Sequence, residues 1–377
     1  MKIIIAPDKF KRSLTGLEFC QTVEEVLKKC IAGVEVIKIP LADGGDGTLE
    51  ALSSQMTDTK VHLTVHDPLF RPIQASYLYL EEARTAFIEM AEASGLRRLK
   101  EEEQNCFYTT SYGTGELIKD ALDHGAQKII LGIGGSATND CGMGMAEALG
   151  FQFLDLEGNR VEPIGKNLIA VDQIVTTAAD SRIGHTLFEV ACDVTNPLFG
   201  ADGAAKVYGP QKGATAKEVA LLDQGLEHFE QILNKTFDRS VKEIPGAGAA
   251  GGMGAGAMLF LGGTLNSGIK LVKEMVKFDE RIVGADWIIT GEGKLDYQTL
   301  SGKTVHGVLE SAVLQGIKVA VFCGRITLPQ DAMNAIGVGY AASVMERSVD
   351  LDDAIKHSII YLREMAVEFA GKISVKD

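Results

Sequence analysis

Short apolar runs recur along the chain, and most of them lead straight into a loop rich in glycine and acidic residues. The first, Lys2-Ile3-Ile4-Ile5-Ala6, shows no polar alternation, the pattern of a strand covered on both faces. Thr15-x-x-Glu18 is a capping box and predicts a helix from about Gly16. Val23, Val26, Leu27 and Cys30 recur at helical spacing until Gly33 ends the pattern. Residues 34–39 read as a second strand, and residues 48–52 open another helix. Strand, helix and parallel strand make a βαβ unit, whose right-handed crossover puts both strand-end loops at one end of the sheet.

Near Thr57 the pattern changes. Val61, Leu63 and Val65 alternate with His62, Thr64 and His66, Asp67-Pro68 turns the chain, and residues 77–80 read as a partner strand. His62 and His66 share a strand face, but four residues of strand span about 13 Å, too far for one metal ion. They are expected to face solvent. Residues 114–124 form a predicted helix closed by Gly125, residues 128–133 a strand, and residues 142–149 a helix stopped by Gly150. Glu157-Gly158-Asn159 reads as a hairpin turn and residues 187–192 as a strand. A second capping box, Thr215-x-x-Glu218, starts a helix carrying Val219, Leu222, Leu226, Phe229 and Leu233.

The glycine run at 246–256 matches G-x-G-x-x-G by letter, but no strand precedes it, so a dinucleotide site fails its context test. Close backbone contact with a ligand and tight helix packing both remain open. The chain then returns to its first domain, with strands at 285–290, 318–322 and 336–344, a helix at 304–315 and a closing helix at 350–369. Ser301-Gly302-Lys303-Thr304 looks like the end of a P-loop, which requires glycine where this chain has Tyr297, and that reading is rejected. Strands alternating with helices predict an α/β fold. The division expected for 377 residues is two domains. One is a Rossmann-like, three-layer parallel-sheet domain built from residues 1–58 and 270–377. The other is a second α/β domain, residues 59–269, inserted into it.

The candidate chemistry sits at strand ends, where α/β sheets bind ligands. Asp43-Gly44-Gly45-Asp46-Gly47 places two carboxylates around two glycines. Like charges that close repel unless a proton or cation relieves them, and magnesium favours one or two carboxylates together with substrate phosphates. A plain Asp-Gly turn is the alternative. Asp8 and Lys9 follow the first strand, with Lys11 and Arg12 as further cations; the alternative there is a solvated loop. The loop of Gly134, Gly135, Ser136, Ala137, Thr138, Asn139 and Asp140 before a helix suits an anion held by orphan amides, against a turn with Asp140 as N-cap. Asp193 and Asn196 leave the strand at 187–192, and Glu292, Gly293, Lys294 and Asp296 leave the one at 285–290. Carboxylates, lysines and glycine-rich amide loops are the parts that phosphoryl transfer uses.

Composition narrows the classes. The net charge of −14 should repel nucleic acid and anionic membranes, so an anionic substrate needs local cations or amides. Cys20, Cys30, Cys106, Cys141, Cys192 and Cys323 form no C-x-x-C pair, which favours reduced thiols over zinc or disulfides. No apolar run reaches the length of a membrane span. Lys2 leads directly into a strand rather than a signal segment, so a cytoplasmic protein is expected.

Seven stretches together resemble the glycerate kinase family of the bacterial type that makes 2-phosphoglycerate: Ala6-Pro7-Asp8-Lys9-Phe10-Lys11, and residues 40–48, 134–140, 192–197, 209–213, 246–254 and 290–296. They span nearly the whole chain. The resemblance implies ATP-dependent phosphorylation of D-glycerate with magnesium, and two α/β domains, one inserted in the other, with the site in the cleft between them. Charge and position then suggest roles. Asp193 is the group near the glycerate hydroxyl, as base or orienter, and Lys9 contacts phosphate or the glycerate carboxylate. Asp8, Asn196, Ser136 and Lys212 are expected to bind substrate. Gly134, Gly135, Gly293 and Lys294 are expected to serve phosphates, and Asp43, Asp46 and Glu292 magnesium. Cys323-Gly324-Arg325-Ile326 departs from the small residues of the family, and Arg325 is not counted in the site.

Overall fold

The computed structural model describes every residue except 11, 12, 46, 57–59, 298, 300, 301 and 375–377. Lys11, Arg12, Asp46 and Ser301 therefore lie outside the described residues. The chain divides into two compact units. The first comprises Met1–Asp43, Glu50–Thr57 and Ser267–Asp377, and the second comprises Gly44–Leu49 and Asp58–Asn266.

In the first unit the strands are, in chain order, Lys2–Ile5, Glu35–Lys38, Trp287–Thr290, Lys318–Cys323 and Val338–Ser343. All pair in parallel, and their order across the sheet is second, first, third, fourth, fifth. This is the doubly wound order in which the switch point falls between the first and third strands. Ile3, Ile4 and Ile5 are wholly buried, as an uninterrupted apolar run between two helix layers requires.

Helix Gly16–Cys30 starts where its capping box predicts. The Thr15 hydroxyl accepts from Glu18 N (3.1 Å) and the Glu18 carboxylate accepts from Thr15 N (2.9 Å). Its Phe19, Val23 and Leu27 pack with Leu362 and Phe369 of helix Ser358–Ser374 over one sheet face. Helices Gly268–Met275 and Thr304–Gln315 approach closely because Gly307 has no side chain; a Cβ there would meet Ile269 at 2.7 Å. The expected closing helix is two, Leu351–Lys356 and Ser358–Ser374. They break at His357, where Asp353 binds His357 Nδ1 (2.7 Å) and the Tyr361 hydroxyl (2.6 Å).

The second unit holds a mixed sheet in which spatial order follows chain order. Strands Lys60–His66, Pro72–Leu80 and Thr85–Glu89 each run antiparallel to the next. Strands Lys128–Gly132, Leu187–Ala191 and Thr264–Asn266 continue in parallel. Thr85–Glu89 and Thr264–Asn266 are additions to the sequence reading. The turn at Gly158 forms, with φ of +82°. However, strand Gln152–Leu154 pairs with Gln173–Val175, and the segment just after the turn contributes only the Leu154–Arg160 bridge.

The glycine run becomes helix Ala249–Phe260, with Ala250, Gly251 and Gly252 in the left-handed region. A Cβ on Gly251 would lie 2.1 Å from Thr138 O. The run serves close packing against residues 138–142, and Gly251 O accepts from Cys141 N at 3.0 Å. All six cysteines are free, and Cys20, Cys106, Cys141 and Cys323 are buried.

Candidate active site

In the first unit, the loops after the first and third strands meet at the switch point. Asp8 N donates to Gly291 O (2.8 Å), and Leu41 N, on the loop after the second strand, donates to Pro7 O (2.9 Å). Gly291 allows this crowding, since a Cβ there would strike Phe322 O at 1.9 Å.

Asp8 is the most perturbed carboxyl of this group. Its Oδ1 accepts from Lys9 N (2.7 Å) and its Oδ2 from the Thr304 hydroxyl (2.6 Å). Crowding by surrounding atoms, with help from the charges of Asp43 and Glu292, nevertheless pushes it up to about 7. Burial likewise raises Glu292; Asp296 and Asp43 act in the same direction, while the Thr299 hydroxyl and Lys303 oppose them. Glu292 Oε1 is buried without a hydrogen-bond partner. Lys294 Nζ pairs with Asp296 (2.6 Å) and is largely exposed. Gly293 O accepts from Arg325 N (3.1 Å). Thus Asp8, Asp43 and Glu292 feel one another's charge, and Thr304 and Lys303 join them. Those last two residues belong to the P-loop-like stretch that was set aside, so the signal for them was present as a lysine and threonine opening a helix.

In the second unit the strand ends also converge. Glu89, Gly132 and Ala191 are register partners across three adjacent parallel strands, so the loops after them leave one edge of the sheet. Ser136 is held there by the Gly95 bridge and by Lys212, whose Nζ donates to Ser136 Oγ (2.7 Å) and Thr138 O (2.8 Å). Burial lowers Lys212 to about 8, against the pull of Cys106 and Asp140. Thr138 Oγ1 and both side-chain atoms of Asn139 are buried with no partner.

Gly134 and Gly135 precede Ser136, and Gly135 has φ of +74°. The helix after them, Met143–Ala148, has Gly142 as its N-cap. Fully buried Asp140 accepts from Ser111 N and Oγ (both 2.7 Å), Gly144 N (3.2 Å) and Gly142 N (3.3 Å), so these amides are not open to a phosphate. Neither expectation holds in full: the N-cap is Gly142, and Asp140 occupies these amides from two residues before it. Asp193 is exposed at its strand end. Asn196 accepts from the Tyr208 hydroxyl (2.6 Å) and donates to Asp202 O (2.8 Å).

The model of the glycerate kinase family matches residues 3–374. This chain belongs to the glycerate kinase family. It is therefore a phosphotransferase whose acceptor is an alcohol group. Glycerate kinase of Bacillus subtilis (strain 168) is 42% identical over 375 residues, covering 100% of this chain and 98% of its own length. Glycerate 2-kinase of Escherichia coli (strain K12) is 41% identical over 356 residues, 94% of this chain and 93% of its own. The crystal structure of a Salmonella typhimurium LT2 protein provisionally named glycerate kinase 2 superposes with a TM-score of 0.87 at 39% identity, covering 100% of this chain and 98% of that one.

A glycerate kinase needs its phosphates neutralised, and the donor set of the first unit suits a hard cation. All its candidate ligands are carboxylate oxygens, one of them an orphaned buried atom, and Asp8 is raised by burial and, after that, by the charges of Asp43 and Glu292. Among the described residues no three carboxylate, histidine or cysteine side chains could hold a metal by themselves. Carboxylate oxygens of this kind suit magnesium, which completes its shell with water and phosphate oxygens. Among the described residues no helix is long and apolar enough to cross a membrane.

Proposed function

We propose that the chain phosphorylates D-glycerate from ATP on the 2-hydroxyl, releasing 2-phosphoglycerate and ADP, with magnesium as cofactor and in the cytoplasm. The regiochemistry rests on the 41%-identical relative named glycerate 2-kinase. The metal rests on the grouping of Asp8, Asp43 and Glu292 in the first unit and on the buried, unpartnered Oε1 of Glu292.

Asp43, Asp46 and Glu292 are the residues to hold magnesium, which would supply charge neutralisation for the nucleotide phosphates. Gly293, Lys294, Gly134 and Gly135 contact phosphate oxygens. The ammonium of Lys9 binds the transferring phosphoryl group or the glycerate carboxylate. Asp8 lies beside it, and Ser136 and Asn196 bind the substrate's oxygens. Lys212 lends its charge to glycerate through the Ser136 hydroxyl that it holds. Asp193 accepts the proton of the 2-hydroxyl as the O2–phosphorus bond forms and the bond to the ADP oxygen breaks.

Release of ADP that depends on D-glycerate, followed by ³¹P NMR of the product, tests this reading. A signal from 3-phosphoglycerate alone would overturn the regiochemistry, and turnover unchanged by a magnesium chelator would overturn the cofactor.

A further inference from the structure

Glu89 ends a strand in the middle of the second unit and is 1% exposed. A buried carboxylate is costly unless it is paired or hydrogen-bonded. Its partner comes from far away in sequence: Glu89 Oε1 accepts from Gly47 N at 2.5 Å. The neighbouring strand supplies a second hold. Gly132 is the register partner of Glu89, and a Cβ on Gly132 would lie 2.4 Å from Gly44 O. A carboxylate and a bare Cα therefore seat the two ends of the segment Gly44–Gly47. Asp43 directly precedes that segment and Asp46 lies within it.

We propose that Glu89, with Gly132 beside it, is a positioning residue that holds the backbone at Gly44 and Gly47, the chain neighbours of Asp43 and Asp46, and thereby sets the affinity for the divalent cation. The inference rests on the assignment of Asp43 and Asp46 to that cation. Partners that orient metal ligands typically govern affinity by 10–100-fold. Gln at position 89 keeps an acceptor for Gly47 N but loses the charge that strengthens the bond. Ala at position 132 keeps Glu89 and displaces Gly44 instead. The two variants thus disturb one segment by unrelated means.

The test uses the full chain, with Mn²⁺ as probe. Free Mn²⁺ is measured by EPR titration, and amide exchange of the peptide covering 44–49 is followed by mass spectrometry. For Glu89→Gln and Gly132→Ala, circular dichroism checks folding. The expected result is faster exchange in that peptide and Mn²⁺ binding weaker by about tenfold. KM for D-glycerate should stay within about twofold, and saturating Mg²⁺ should restore most of kcat, which a general structural defect would not allow. Unchanged exchange in both variants overturns the seat. Faster exchange with unchanged Mn²⁺ affinity overturns the positioning role. A parent protein that binds no Mn²⁺ overturns the cation assignment itself, and this inference with it, so the two failures are told apart by which protein shows them.

Discussion

Lys212 Nζ donates to Ser136 Oγ at 2.7 Å from a position only 3% exposed. The contact makes Lys212 a strut beneath the loop of Gly134–Ser136, and it has a consequence for stability. Burial lowers the folded-state value of Lys212 from 10.5 to about 8. Between these values the unfolded chain binds more protons than the folded one, so stability from this group rises with pH. It is fully present above about 10.5 and lost as pH falls through about 8. In urea unfolding, the parent should gain on Lys212→Met as pH rises from 8 to 10, with a slope approaching about 1.4 kcal/mol per pH unit. Parallel pH curves for the two proteins would show that Lys212 does not carry a depressed value.

Asp140 is expected to act on folding rather than on turnover. Its carboxylate satisfies Ser111 and the first amides of helix Met143–Ala148 with no exposure to solvent. Asp140→Ala leaves several buried donors without an acceptor, at a cost of roughly 3 kcal/mol or more. Asp140→Asn keeps one acceptor oxygen and should cost less. The urea midpoint should fall in that order, while kcat of the folded fraction changes by less than about threefold. A collapse of kcat in a fully folded Asp140→Asn protein would place Asp140 in the chemistry instead.

How much of this was legible in the sequence depends on where each residue's partner lies. Lys2–Ile5 was readable because an unbroken apolar run needs no distant information. The capping boxes at Thr15 and Thr215 were readable for the same reason, since both partners lie within three residues. Asp8 and Glu292 could be found because the strand before each is evident. Thr85–Glu89 could not: it ends in a carboxylate, and the Gly47 amide that makes this tolerable lies 42 residues earlier. The helix after Asp140 is legible, but the occupancy of its first amides is not, because Ser111, 29 residues upstream, gives no local sign of its bond to Asp140. The glycine run is ambiguous by letter, and only the 2.1 Å that a Cβ on Gly251 would leave to Thr138 O decides for packing.

Glu292 should show opposite effects on stability and on metal binding. Its carboxyl is raised by burial and carries an unpartnered Oε1. Neutralising it by Glu292→Gln removes a desolvated charge, so the metal-free protein should be as stable as the parent or more so at pH 7. The same change removes a proposed magnesium ligand, and half-saturation by Mg²⁺ should shift upward by about tenfold or more. Thermal unfolding without metal and a Mg²⁺ titration of ADP release measure the two effects. A variant that loses stability while keeping its Mg²⁺ requirement would make Glu292 a structural residue.

Asp193 offers the most direct test of the chemistry. It stands exposed two residues beyond Ala191, the last residue of its strand and the register partner of Gly132. Replacing an exposed carboxylate with an amide of equal size should leave folding intact, so any loss can be read as chemistry. If Asp193 takes the proton of the glycerate 2-hydroxyl, Asp193→Asn should lower kcat by about 10²-fold or more. An orienting role would also raise KM for D-glycerate, because binding in the ground state would weaken along with the transition state. Initial rates of ADP release against D-glycerate concentration separate the two, with circular dichroism confirming the fold. Turnover within a few-fold of the parent would remove Asp193 from both roles and leave the proton to solvent or to another group.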